Sequence, residues 1–211
     1  MTESSANDPV ENEATAAFKS MIFDAAVAPA AIADLLDDLA EGMRARVVRR
    51  LGRRDQQTLY AKVEGFAPLE LVDLVPPARS EFEEVRHLGR NSLPAFTIFE
   101  KRFCRLPGSA PDGPDGLAGY NFQALSSVTG PGYFMARDDT KTREVLVDYH
   151  RLPDQKPADW PPIRSNERGL SRFVYGFMID RLRRVSKHVT IGSAARNGRE
   201  LGSYFILSRV G

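Results

Sequence analysis

The segment "FVYGFMIDRLRRVSKHVTIG", residues 173 to 192, constrains the fold more than any other, because helical and strand spacing overlap within it. Val174, Phe177 or Met178, Leu182, Val185 and Val189 recur at three- and four-residue intervals, whereas Val189, Thr190 and Ile191 form a β-branched run that favours a strand. The spacing predicts a helix to about Ser186, followed by strands. Downstream, Asn197-Gly198 is the preferred pair for a two-residue type I′ hairpin, flanked by apolar segments of matching length. With those two residues as the loop, Ile191 should face Tyr204 and Val189 should face Ile206, on the buried face of a terminal hairpin.

Three further strands are predicted in "LAGYNFQALS", "GYFMARD" and "REVLVDYHRL", separated by turn-forming residues, and antiparallel pairing is the economical arrangement. The segment "PDQKPADWPPIRSNE" holds four prolines and should cross the surface irregularly, anchored by Trp160. Upstream, Ile32, Leu35, Leu36 and Leu39, then Val47, Val48 and Leu51, then Leu59, Tyr60 and Val63 behind a capping Asp55, mark short helices. Pro76 and Pro77 mark a linker. "NSLPAFTIFEKRFCRL" reads as another helix, with Ser92 as N-cap, Pro94 in the first turn and Leu93, Phe96, Phe99 and Phe103 along one face. The expected architecture is α+β: an N-terminal helical segment followed by a curved antiparallel sheet or small barrel packed with helices, ending in a β-hairpin. Residues 1–28 are expected to be a mostly disordered or weakly helical tail, 29–75 the helical segment and 80–211 the α+β domain.

Lys and Arg number 29 against 28 Asp and Glu, so no global field draws in nucleic acid or an anionic membrane. "RARVVRRLGRR" does place six arginines between Arg44 and Arg54, but Asp34, Asp37, Asp38 and Glu41 precede them, and neighbouring helices of opposite charge should satisfy one another. No specific nucleic-acid binding is therefore expected. A protein partner meeting the charged helices of 29–64 is the alternative use of that surface. The sequence has no secretory signal and no apolar run long enough to span a bilayer, so a cytoplasmic protein without membrane insertion is expected. The single cysteine, Cys104, suits a reducing compartment.

The histidines His87, His150 and His188 are widely separated and lack metal-ligand spacing, so neither a metal nor a cofactor is expected. Cys104 lies between arginines without an identifiable histidine partner and reads as a buried, inert thiol. The densest polar cluster is "EVRHLGRNSLP", which gathers Arg86, His87, Arg90, Asn91 and Ser92 before the predicted helix N-terminus, where free amides favour a carboxylate or phosphate. On "GYNFQ", the amides Asn121 and Gln123 alternate with Tyr120 and Phe122, so one face offers hydrogen-bonding groups. These seven polar residues, Arg86 to Ser92 with Asn121 and Gln123, are the candidate ligand-binding set.

"RGLSRFVYGFMIDRLRRVSKHVTIG", the closing "SYFILSR" and "LPAFTIFEKRF" together resemble the bacterial GXWXG-type uncharacterised proteins. That resemblance implies a lipocalin-like barrel around an apolar cavity and supplies no catalytic residue. The GxWxG pattern itself is absent, and Trp160 lies in the proline-rich segment. The expected function is binding of a small, largely apolar or acidic ligand, its acidic group held by the Arg86 to Ser92 cluster. The alternatives are an isomerase or cyclase using His87 or His150 as acid or base, and an adaptor acting through the N-terminal helices.

Overall fold

The computed structural model describes residues 8–94, 97–123, 130–167, 172 and 175–211. Among the described residues five helices, α1 (Pro9–Phe23), α2 (Pro29–Asp38), α3 (Glu41–Val48), α4 (Arg53–Lys62) and α5 (Leu71–Leu74), precede the strands. The strands are β1 (Val85–Asn91), β2 (Ile98–Arg105), β3 (Leu117–Phe122), β4 (Phe134–Asp139), β5 (Glu144–Asp148), β6 (Met178–Arg184), β7 (Val189–Arg196) and β8 (Arg199–Val210). Each pairs antiparallel with its neighbour in sequence, and β8 pairs back onto β1, closing an eight-stranded up-and-down barrel.

Two segments expected to be helical are strands, for one physical reason. Phe99 and Phe103, like Met178 and Leu182, are four residues apart, and four is both about one helical turn and two strand repeats. Tertiary pairing decides between them. The 178–184 segment is hydrogen-bonded to β5 on one side and β7 on the other, and the 98–105 segment to β1 and β3. In β6 the residues alternating with the inward Asp180 and Leu182 are arginines, Arg181 and Arg183, turned outward: Arg183 lies over the Tyr60 ring at 3.9 Å and pairs with Glu144 at 2.7 Å. Ser92 caps no helix; its backbone N–H donates to the Tyr204 carbonyl, and its hydroxyl accepts from Tyr204 N, both at 2.8 Å, tying the end of β1 to β8.

The β7–β8 hairpin does turn at Asn197 and Gly198, which have φ of 50° and 73° and join the pair Arg196↔Arg199. Its register is two residues away from the expected one, with Ile191 opposite Ile206. A bulge causes the offset: Ala195 faces Glu200 but Ala194 faces Ser203, leaving Leu201 and Gly202 as extra residues, and Gly202 takes φ +62°. Because side chains alternate with period two, the two-residue offset preserves the faces. Val189, Ile191 and Ile206 are buried with the helical core, and Tyr204 packs on Tyr60 at 5.4 Å.

The barrel is buried on both sides along this arc. Outside β7, β8 and β1 lie α1 to α4, which bring Phe18, Ile32, Leu36, Val47 and Leu59 against the sheet. Residues 9–23 are thus a docked helix, not the disordered or weakly helical tail their composition suggested. Glu11 of α1 is 2% exposed and accepts from Arg46 and Arg50, each at 2.8 Å. Two of the six arginines, Arg46 and Arg50, are thus paired with α1 and not with α2 as expected; Asp37 instead accepts from the Lys187 amide.

Inside the barrel, Val85, Phe103, Leu117, Phe134, Val145 and Leu182 form a second core, and α5 closes one end of it with Leu71 and Leu74. Asp138 fixes α5 by accepting from Leu71 N at 3.0 Å, and Arg184 pairs with Asp73. A third cluster, outside β3 and β4, is covered by the proline-rich segment, where Trp160 packs on Tyr120 and donates to Glu84 at 2.8 Å. Among the described residues no helix is long and apolar enough to cross a membrane.

Gly198→Val should destabilise the protein by about 1 to 3 kcal/mol through strain at positive φ. The measurement is the urea midpoint, expected to fall; an unchanged midpoint would show that the turn tolerates a β-branched residue.

Candidate functional site

Strand alternation sends every second side chain into the barrel, and toward the end opposite α5 the inward side chains leave a cavity and include several polar groups. Phe99 and Lys101 of β2, Asn121 of β3, Tyr149 just after β5, Asp180 of β6 and Phe205 of β8 line a cavity of about 350 Å³. Nearer the barrel end its wall continues through Asn91, Gln123, Tyr175, Met178, Arg196 and Leu201. Eight-stranded barrels have interiors that side chains just fill or that hold one small ligand. This barrel does both, packed near α5 and hollow at the other end.

Polar groups inside the hollow part form one connected network. Lys101 Nζ donates to Asn121 Oδ1 at 3.1 Å, to the Tyr149 hydroxyl at 2.5 Å and to Asp180 Oδ2 at 3.0 Å. All three of its protons are thereby used. The Tyr149 hydroxyl donates to Asp180 Oδ2 at 3.2 Å and accepts from Asn121 Nδ2 at 2.9 Å. Asn121 Nδ2 also reaches the Gly132 carbonyl at 3.3 Å. Among the described residues, the one member atom left without a partner is Asp180 Oδ1.

Lys101 and Asp180 are 2% exposed, and the ammonium sits 4.9 Å from the Phe134 and Phe205 ring centres and 5.0 Å from that of Tyr149. Aromatic faces offer it partial compensation for lost hydration. Burial lowers the Lys101 pKa against the attraction of Asp180, and burial raises that of Asp180 against the attraction of Lys101. Tyr149 is held well above its ordinary range by burial and then by the Asp180 charge. The network is positioned from behind: Asn166 donates to the Tyr133 and Tyr149 carbonyls at 2.6 and 2.8 Å, fixing the backbone from which the Tyr149 ring enters the barrel.

The polar cluster predicted from sequence is dispersed by the same alternation. Arg86, on the outer face of β1, pairs with Glu100 at 2.8 Å. Arg90 donates to the Arg49 carbonyl at the end of α3 at 2.8 Å, so it holds a helix rather than a ligand. His87 points inward but lies beside α5, below the cavity, with Nε2 3.0 Å from the Leu74 carbonyl and the ring edge-on to Phe103. With no helix following Ser92, the anion site expected at its N-terminus does not form. Asn91, Asn121 and Gln123 do line the cavity, and Gln123 donates to the Tyr175 hydroxyl at 2.8 Å.

No histidine lines the cavity. His150 stacks edge-on with Phe177, and His188 meets Arg209 at 3.0 Å. Burial pushes the Cys104 thiol up to about 12, which keeps it protonated in its aromatic cluster. Among the described residues no group of three or more His, Cys, Asp or Glu is arranged to hold a metal.

Lys101, Tyr149 and Asp180 were missed in the sequence. Lys101 and Asp180 lay in segments read as helices, where a charged residue marks a solvated face. In a strand, Phe99-Glu100-Lys101-Arg102-Phe103 places Lys101 between two inward phenylalanines, and that alternation was the available signal. Comparison with protein-family models, curated proteins and solved structures returns no significant match.

Two outcomes follow from these burials. Lys101→Met leaves Asp180 buried without its counter-charge and should cost about 3 to 5 kcal/mol, whereas Lys101→Met/Asp180→Leu should recover much of that loss. Urea titration of the wild type and both variants checks this. His87 has its pKa lowered from 6.5 to about 3 by burial, so the unfolded chain takes up this proton first as pH falls. Its contribution is full above pH 6.5 and is lost as pH drops toward about 3. In that window the wild type should lose about 1.4 kcal/mol per pH unit more than His87→Leu. Parallel stability-versus-pH curves for the two proteins would refute this.

Proposed function

We propose that the protein binds one small, largely apolar molecule inside the barrel, with a hydroxyl or N–H group of that molecule directed to Asp180. The observation carrying this reading is the cavity of about 350 Å³ whose buried Lys101–Tyr149–Asn121–Asp180 network is complete except at Asp180 Oδ1. A buried carboxylate oxygen without a partner is costly, and a ligand donor removes that cost. Phe99, Tyr149, Tyr175, Met178 and Phe205 supply the surface for an apolar body.

The ligand's preferred headgroup accordingly differs from the acidic one expected from sequence. The buried ion pair is already neutral as a unit, and its remaining site accepts a hydrogen bond. An anion placed there would meet Asp180. The lipocalin-like cavity implied by the resemblance above agrees with this reading, while a histidine acid-base enzyme has no histidine on the cavity wall to support it.

The test uses 2-naphthol, a flat apolar molecule with one hydroxyl, followed by its fluorescence. Ala194 is 6% exposed and lines the cavity from β7, so Ala194→Trp should fill the space. Saturable binding to the wild type that weakens about tenfold or more in Ala194→Trp is expected, equivalent to about 1.4 kcal/mol. Absence of saturable binding, or equal binding to both proteins, would remove the cavity from consideration.

A further inference from the structure

We infer that the cavity captures a carbonyl compound, an apolar aldehyde or ketone, as a protonated imine on Lys101. This deepens the ligand-binding reading and rests on its cavity; here the donor facing Asp180 is the imine N–H itself, not a group carried by the free compound. Lys101 is the one lysine among the cavity-lining residues, and its Nζ contacts both a carboxylate at 3.0 Å and a phenol at 2.5 Å. Amines in apolar pockets serve as nucleophiles when a neighbouring group accepts their proton, and the site supplies that group.

Atoms and charge balance using only what the site holds. The Lys101 ammonium passes a proton to Asp180, leaving a neutral amine and a neutral carboxylic acid. The amine lone pair attacks the carbonyl carbon, a C–N bond forms, and the carbonyl π electrons move to oxygen. Tyr149, hydrogen-bonded to both Lys101 and Asp180, is placed to relay a proton from nitrogen to that oxygen, giving a carbinolamine. Asp180 then returns its proton to the hydroxyl, the C–O bond breaks, and water leaves. The product is a protonated imine facing the Asp180 carboxylate, so the reaction begins and ends with a buried ion pair at this position. Oxidant, reductant and metal are not required.

The arrangement also explains a network that packing alone does not require. A barrel interior can be filled with apolar side chains, and burying a charged pair is commonly neutral or unfavourable relative to such packing. Here the pair stands at the boundary between the filled and hollow halves, where Lys101 and Asp180 both line the cavity and are hidden from bulk water. Exclusion of water also protects an imine from hydrolysis.

The experiment exposes full-length wild type to a slight excess of cinnamaldehyde with cyanoborohydride near neutral pH, then locates reduced adducts by peptide mass mapping. Five other lysines, Lys19, Lys62, Lys141, Lys156 and Lys187, serve as internal controls. The expected result is one adduct per chain on Lys101, suppressed by excess cinnamyl alcohol, which has the same body and no carbonyl. Lys101→Met/Asp180→Leu should lose that adduct. Labelling spread over the other lysines with Lys101 unmodified, while 2-naphthol still binds, would overturn the imine and leave the ligand-binding reading intact. Failure of both labelling at Lys101 and 2-naphthol binding would overturn both.

Discussion

The pairing of β8 with β1 is the contact on which the remaining structure depends. It removes the two exposed edges that an eight-stranded meander would otherwise present and defines an inside. It also turns two short-range patterns, the terminal hairpin and the central strands, into one wall. The helices strengthen this seam: α3 and α4 pack on β8, and Arg90 and Arg53 reach across to the Arg49 and Gly202 carbonyls. An arrangement that buries β8 on both faces needs apolar residues at successive positions, and "YFIL" supplies them.

Closure gives the charged network its setting. A lysine and an aspartate on the inside of a small barrel lose nearly all their hydration, and only mutual contact, two further hydrogen-bonding side chains and surrounding ring faces make that burial tolerable. The four residues come from β2, β3, the end of β5 and β6, which are far apart in sequence but share one arc of the barrel wall, with β4 between β3 and β5. A shift of one residue in any of these strands would turn its member outward. The network and the strand register therefore specify one another, which links fold uniqueness to the chemistry of the cavity.

Parts of this were legible from the residues. Asn197-Gly198 encoded its turn because both positions need positive φ, and alternation in "GYNFQ" put Asn121 and Gln123 on one face. Trp160 anchors its proline-rich segment as its composition implied. The presence of short helices around Ile32 to Val63 followed from apolar spacing. The site was less legible: Arg86, Arg90 and Ser92 were grouped because they are close in sequence, yet in a strand consecutive residues point apart, and each found a structural partner on the outer wall.

By itself, then, the sequence determined what local chemistry can encode: turn positions, apolar spacing in the N-terminal helices, the alternating faces of β3, and the balance of charge. Tertiary structure decided the rest. Segments 98–105 and 178–184 carry apolar residues four apart, compatible with both helix and strand, and only hydrogen bonding to neighbours on both sides selected the strand. That selection carried Lys101 and Asp180 into the barrel. The distance between them, 79 positions along the chain and 3.0 Å in space, is a property of closure that no local pattern contains.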